Sequence, residues 1–407
     1  MKYSKVLSVS VVTVLALTAC GKSDSSAKGD SSVIKIGHAG PLTGTAAHLG
    51  KDTENGVRLA IEDANAKGIQ IDGKKASFEL VSSDDQGDPK IAPDAAKKLL
   101  DAKVAGVVGH LNSDATIVAS KIYSDAGIPQ ISGSATTPKY TEQGFKTAFR
   151  VIANDAQQGQ LIGSFIGYAL QAKRFAIVND GTSYGQRLAE EVEKAAKATG
   201  ALLVAREVTS DKATEFKDIL TKIQAAKPDV IFHGGLDATG GPMLKQMRDL
   251  GIKTQFIQGD GGCSPQFIKL AGTAAEGFIC TQPGLPVDQM PAAQVNDFKD
   301  RFEKKFGPIQ IFSPYAYDAA SMLIAAMEKA KSSDPAKYLP ELSKLRYDGI
   351  TGKIEFDEKG DPKSGFLTIY KVQCAKLEVL FMQKSADVKH ALEQWKENTP
   401  LLAPCAN

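Results

Sequence analysis

The feature that most constrains this chain is a regular alternation of short apolar runs with helical patterns, from residue 33 to about residue 258. Val33-Ile34-Lys35-Ile36-Gly37 reads as a strand, and the stretch after it places Val57, Leu59, Ala60, Ile61 and Ala64 on one helical face. A strand over 77–81 follows. Asp88-Pro89 then opens a helix with Pro in its first turn, and residues 104–108 form the continuous apolar run of a strand covered on both faces. A helix over 114–126 and a strand over 128–132 close this first series. After Phe149-Arg150-Val151, helices over 155–170, 185–199, 215–226 and 239–250 alternate with strands over 175–178, 202–208, 230–232 and 255–258. Two successive series of this kind predict two open α/β domains with parallel sheets. The rest is less regular: a strand over 277–280, helices over 294–306 and 314–330, and a hairpin of 353–357 with 366–370 around Gly360-Asp361-Pro362.

The N-terminus reads as an export signal. Lys2 and Lys5 precede an apolar stretch over 6–17 that is too short to span a bilayer, and Leu17-Thr18-Ala19-Cys20 ends it. That ending resembles a bacterial lipobox, which implies a signal peptide over 1–20, acylation of Cys20 and a polar tether over 21–32. The expected location is periplasmic or at the cell surface, anchored to a membrane by lipid. In such an oxidising compartment the remaining cysteines can pair by proximity as Cys263–Cys280 and Cys374–Cys405, with free buried thiols as the alternative. Charge is balanced, 49 Lys plus Arg against 47 Asp plus Glu, and no basic run tracks a phosphate backbone; nucleic acid is not an expected partner. No C-x-x-C or H-x-x-x-H spacing calls for a metal, and no cofactor is expected.

In open α/β sheets ligands bind beyond the C-terminal ends of the strands. The loops at those positions are rich in Ser, Thr, Gly and single carboxylates, which suits hydrogen bonding to a small polar ligand. One of them, Gly181-Thr182-Ser183-Tyr184-Gly185, fits the G-x-S-x-G turn of serine hydrolases, and His233 and His390 lie downstream. Two features argue against a lipoprotein esterase. Asn179 and Asp180 lengthen the elbow, and His233-Gly234-Gly235 follows the serine instead of preceding it.

The segments IKIGHAGPLTGTAAHLGKDTENGVRLAIEDANAKG, GVVGHLNSDATIVASKIYSDAGIPQISGSATTPKYTEQG and KTQFIQGDGGCSPQFIKLAGTAAEGF resemble the leucine/isoleucine/valine-binding proteins of ABC importers, type I periplasmic binding proteins, over about residues 33 to 372. The resemblance implies two lobes joined by three crossing segments near 152, 283 and 361, each lobe an open, mostly parallel sheet flanked by helices. Residues 33–152 with 284–360 would form the N-terminal lobe, and 153–283 with 361–407 the other. It also implies a monomer that binds an amino acid without covalent chemistry and hands it to permease membrane subunits. A ligand-sensing lipoprotein acting on a receptor would share the same residues.

The resemblance further assigns roles. Ser113 in GHLNSDAT, beside Asn112 and at a helix start, would receive the ligand's carboxylate, although Ser is also a common helix cap. In SGSATTP, the Ser134 carbonyl and Thr136 hydroxyl would surround the ammonium, with backbone N–H groups of the Ser134-Ala135-Thr136 loop at the carboxylate. Asp260 aligns with an acid that pairs with the ammonium; the family residue is usually Glu, one methylene longer. Tyr184 aligns with a tyrosine lying over the ligand, which makes Ser183 incidental. Leu49, Leu236 and Phe312 would favour an apolar side chain, whereas Asp237 is expected to face solvent, with contact to a polar ligand group as the alternative. The family's disulfide is missing, because Gly87 and Asn112 occupy its positions.

Overall fold

The structure, a computed structural model, describes Met1 and residues 32–290, 294–363, 365–384 and 388–398. Cys20 and Cys405 lie outside the described residues, and with them the expected acylation and the Cys374–Cys405 pairing.

The first series folds as β1 (Ser32–Gly40), α1 (Ala47–Lys67), β2 (Gln70–Ile71), β3 (Lys74–Asp84), α2 (Ala92–Asp101), β4 (Gly106–Gly109), α3 (Ser113–Asp125), β5 (Gln130–Ser132), α4 (Lys139–Glu142) and β6 (Ala148–Arg150). Its sheet runs β2-β3-β1-β4-β5-β6, parallel except for the short antiparallel β2–β3 pair. The second series gives α5 (Asp155–Ser164), which continues as a π-helical turn over Phe165–Ala169, then β7 (Arg174–Asn179), α6 (Ser183–Ala198) and β8 (Leu202–Val208). It goes on through α7 (Lys217–Ala225), β9 (Val230–Gly234), α8 (Asp237–Asp249), β10 (Gln255–Gln258), α9 (Pro265–Ala271) and β11 (Ile279–Pro283). The third part contains α10 (Gln294–Phe306), α11 (Ser313–Ala330), α12 (Pro335–Ser343), β12 (Tyr347–Gly349), β13 (Gly352–Ile354), β14 (Phe366–Gln373), β15 (Lys376–Lys384) and α13 (Val388–Asn398).

This third part is divided between the lobes. In the first lobe α11 packs on α1, where Val57, Leu59 and Ile61 are buried, each worth roughly 1.5–3 kcal/mol on removal from water. Gly56 permits the close approach: a Cβ there would stand 2.2 Å from the Ser313 carbonyl oxygen. In the second lobe β14 and β15 extend the sheet, β15-β14-β11-β10-β9-β7-β8, as an antiparallel edge. The chain thus passes between the lobes after β6, after β11 and between β13 and β14.

The expected hairpin is corrected. Residues 352–354 pair with β12, residues 366–373 pair with β11 and β15, and only an isolated bridge between Phe356 and Pro362 joins the two segments. Residues 366–373 do form a strand, but one of the other lobe, where Leu367 and Ile369 are buried in one core cluster and Tyr370 and Val372 in another. Cys263 and Cys280 form a disulfide, with Cα atoms 5.3 Å apart, stapling the turn after β10 to β11. Among the described residues no helix is long and apolar enough to cross a membrane.

Candidate functional site

A cavity of about 110 Å3 lies between the lobes, at the C-terminal ends of both sets of parallel strands. Its walls come from the loops after β3 (Gln86, Gly87), β4 (Asn112, Ser113), β5 (Ser134), β7 (Asp180, Thr182, Tyr184), β9 (Leu236, Thr239) and β10 (Asp260, Gly261). That is below the roughly 300–1,000 Å3 of drug-sized pockets, so the occupant is small.

On the first-lobe wall, Asn112 takes the extended backbone conformation that starts α3, yet its side chain makes no capping bond. Ser113 follows as the first residue of the helix, and its hydroxyl is buried without a partner. The capping alternative for Ser113 is therefore not what the geometry shows. The hydroxyl and the free N–H groups of the helix's first turn face the cavity together, an arrangement that favours an anion. Behind the loop, His110 is fully buried between Asp85 (Nδ1 to Oδ2, 2.6 Å) and the Tyr123 hydroxyl (3.0 Å). The His110 carbonyl accepts the hydroxyls of Thr116 and Ser132, which holds the turn before Ser113 in place.

The floor is apolar. Leu49, Leu111, Ile311 and Phe312 form one buried cluster, of which Leu111 and Phe312 reach the cavity. Phe312 is aimed by Asp52, whose carboxylate accepts the backbone N–H groups of Gln310, Ile311, Phe312 and Ser313 at 2.8–3.2 Å and so fixes the start of α11.

On the second-lobe wall, Asp260 is buried and its Oδ1 accepts the Tyr184 hydroxyl (2.8 Å) and Gln158 Nε2 (3.0 Å). Gln158 is itself held by the Thr281 hydroxyl and the Asp260 N–H, and the Tyr184 oxygen accepts the Gly261 N–H. Burial pushes the Asp260 carboxyl above the usual carboxylate range, an effect the Tyr184 and Gln158 hydrogen bonds oppose. Burial pushes the carboxyl of Asp155, the first residue of α5, up to about 8; the Thr136 side chain opposes that rise and the Asp260 charge adds to it.

Around the cavity, α3 and α1 of the first lobe contact α6 and α8 of the second. Ser183 N donates to Asp114 Oδ2 at 2.9 Å and the Ser183 hydroxyl donates to Asp114 Oδ1; His48 on α1 meets Asp237 on α8 at 2.8 Å. They hold the lobes together over the cavity. In the G-x-S-x-G motif, Ser183 thus hydrogen-bonds a carboxylate of the other lobe. Gly185 is required for close packing: a Cβ there would stand 2.2 Å from Asp180 Oδ1 and 2.5 Å from the Gly234 carbonyl.

Of the residues singled out in the sequence, Asn112, Ser113, Ser134, Tyr184, Leu236, Asp260 and Phe312 line one cavity. Ala135, Thr136 and Leu49 are buried outside that wall. The Ala135 carbonyl accepts from Arg150, whereas the Thr136 hydroxyl is buried without a partner. Asp237 is corrected: it is fully buried rather than solvent-facing, because it opens α8 and is bonded by His48 and by the Ser264 hydroxyl at 2.5 Å. Gly87 and Asn112 do adjoin, since a Cβ on Gly87 would come within 2.8 Å of Asn112 Oδ1. Sequence reasoning missed Asp52, Asp155 and Gln158. The only local signal was for α5, where the Asn154-x-x-Gln157 capping box marks the helix start.

Comparison with known proteins agrees with this arrangement. The family profile described as "Periplasmic binding protein" matches residues 33–376. The chain is 35% identical over 342 residues to "Leu/Ile/Val-binding protein homolog 1" of Brucella abortus (strain 2308), covering 83% of this chain and 90% of that protein. It is 34% identical over 339 residues to the "Leucine-, isoleucine-, valine-, threonine-, and alanine-binding protein" of Pseudomonas aeruginosa, covering 83% of this chain and 89% of the relative. The structure of the branched-chain amino acid transporter substrate binding protein LivJ from Streptococcus pneumoniae, in complex with isoleucine, superposes with a TM-score of 0.78 at 27% identity, over 87% of this chain and 100% of that one. With a matching profile over most of its length and the two-lobed architecture to go with it, the chain belongs to the periplasmic binding protein family.

Proposed function

We propose that the cleft takes up an α-amino acid with a branched-chain or other apolar side chain, and that the protein delivers it to the membrane subunits of an ABC importer. The observation that carries this reading is the opposition of two unlike walls: the Ser113 hydroxyl at the start of α3 on one side, the Asp260–Tyr184 pair on the other. A zwitterion matches both walls in one orientation. Its carboxylate would lie at the helix start, its ammonium toward Asp260, and its side chain over Leu111, Leu236 and Phe312. A ligand that touches both lobes stabilises the closed form by its differential affinity, which is the signal a permease can read. The relatives named for leucine, isoleucine and valine binding support the same ligand class. In this reading the protein acts as a monomer outside the cytoplasm, with Cys20 acylated, residues 21–32 as a tether, and residues near 152, 283 and 361 as the hinge.

Isothermal titration against the common amino acids and small amides tests it. Leucine, isoleucine and valine are expected to bind; absence of heat with every amino acid overturns the reading. Mass spectrometry of membrane-extracted protein, with Cys20→Ser as control, reads the lipid separately.

A further inference from the structure

Asp155 opens α5 with both carboxylate oxygens buried and without a hydrogen-bond partner. Other buried acids in this chain are handled differently. Asp52 accepts backbone N–H groups from Gln310 to Ser313, and Asp318 accepts the N–H groups of Ile350 and Thr351 at 2.9 Å together with the Thr351 hydroxyl. Those two carboxylates are structural connectors. Asp155 has the Thr136 hydroxyl as its polar neighbour and no bond of normal geometry to any donor, and a charge so poorly compensated in a dry site is costly.

Among the described residues, the charged groups that act on it are an acid and two cations already committed elsewhere. Asp260 is the acid that acts on Asp155, and the Tyr184 phenol feels the charge of both. Arg150 and Arg187 act on Asp155 in the opposite sense. Arg150 is already bonded to Asp361, Thr141 and the carbonyls of Ala135 and Thr137, and Arg187 is paired with Glu191 and Glu190 on its own helix. The Asp155 N–H bonds the Thr136 carbonyl at 2.9 Å, and the buried Thr136 hydroxyl is the neutral group that favours the ionised form of Asp155. Gln158, three residues after Asp155 on α5, hydrogen-bonds the Asp260 carboxylate, so the two buried acids are tied to one helix end, and like charges in such a site oppose double ionisation.

We propose that Asp155 and Asp260 together hold one exchangeable proton at the cleft and that capture of a ligand's ammonium group expels it, coupling amino-acid binding to proton release. The inference rests on the reading of the cleft as an amino-acid site. The ammonium takes over as countercharge, the proton leaves to solvent, and the net charge of the site is unchanged by the exchange.

The sign follows from burial, which holds the Asp155 carboxyl at about 8 in the ligand-free pair, whereas a nearby cation lowers it. Below that value the ligand-free protein carries a proton that the complex lacks. Affinity therefore rises with pH, by up to about tenfold per unit, and levels off above about pH 8. Asp180, which also lines the cavity and faces Asp211 and Asp114, is pushed up only to about 6, so measurement at pH 7.5 isolates the Asp155–Asp260 pair.

The test is calorimetric titration of the full mature protein with L-leucine at pH 7.5, in phosphate and in Tris, whose ionisation heats differ widely. The expected result is a heat that depends on the buffer and corresponds to release of most of one proton, together with loss of that dependence in Asp155→Asn. L-Leucine binding with the same heat in both buffers overturns the proposal, and so does a dependence that survives in Asp155→Asn. If that variant does not fold, the wild-type buffer dependence and the levelling of affinity above about pH 8 decide alone. No heat in either buffer, with L-leucine or any other amino acid, overturns the amino-acid reading itself.

Discussion

The two walls of the cleft solve different electrostatic problems. The first-lobe wall presents the Ser113 hydroxyl and the start of α3, its Asp114 carboxylate being taken up by Ser183 of the other lobe, while behind the surface Asp85 is bonded to His110 and Arg150 to Asp361. The second-lobe wall presents a carboxylate, held by Tyr184 and Gln158 before any ligand contact. An anion can be received by dipoles and hydroxyls alone; a cation in a dry site needs an opposite charge kept ready. The difference gives the cleft a polarity, on which the orientation proposed for a zwitterion rests.

The sharpest way to break that comparison is Asp260→Ala. It removes the countercharge and strands the Tyr184 and Gln158 donors, so L-leucine affinity should fall by roughly 3–5 kcal/mol, beyond calorimetric detection. Unchanged affinity would remove Asp260 from the site. Opening the Cys263–Cys280 staple with paired Ser substitutions touches only the second lobe, and should lower stability to denaturant by roughly 3 kcal/mol for a loop of this length. A first-lobe hydroxyl has a smaller share: Ser113→Ala should weaken L-leucine by roughly 1.5–3 kcal/mol, about tenfold to a hundredfold, with stability unaltered. If this loss equalled that of Asp260→Ala, the contrast between a dipolar and a charged wall would fail. Least affected should be Ser183→Ala, which loses a donor to Asp114 across the lobes; about 1 kcal/mol in affinity, read as faster ligand dissociation by stopped flow, is the expectation. A large change in that variant would mean that Ser183 takes part in more than closure.

Elements with their own periodicity were legible. Residues 202–208 and 255–258 are strands with the bounds their apolar runs indicate, and the α1 face read from Val57 to Ala64 is the buried one. What failed were pairings. The apolar run over 366–370 marks a strand but carries no sign of its partner: in sequence it suggests a hairpin with 353–357, whereas it belongs beside β11. The same limit applies to the site. Ser113, Tyr184 and Asp260 stand on strand-end loops, where topology alone directs attention, and resemblance supplied the roles. Asp155 and Asp52 look in sequence like ordinary polar residues at or within a helix. Their importance arises from segments distant in the chain: Thr136 and Asp260 for one, residues 310–313 for the other.

Arg150 has a consequence of its own. One planar guanidinium, fully shielded from water, grips the Ala135 and Thr137 carbonyls at 2.9 Å and, 211 residues further along the chain, the carboxylate of Asp361 at 2.6 Å. The loop that carries Thr136 and the last connection between the lobes are therefore pegged to a single rigid part. A displacement of Asp361 would be passed on to that loop, whose Ser134 lines the cavity.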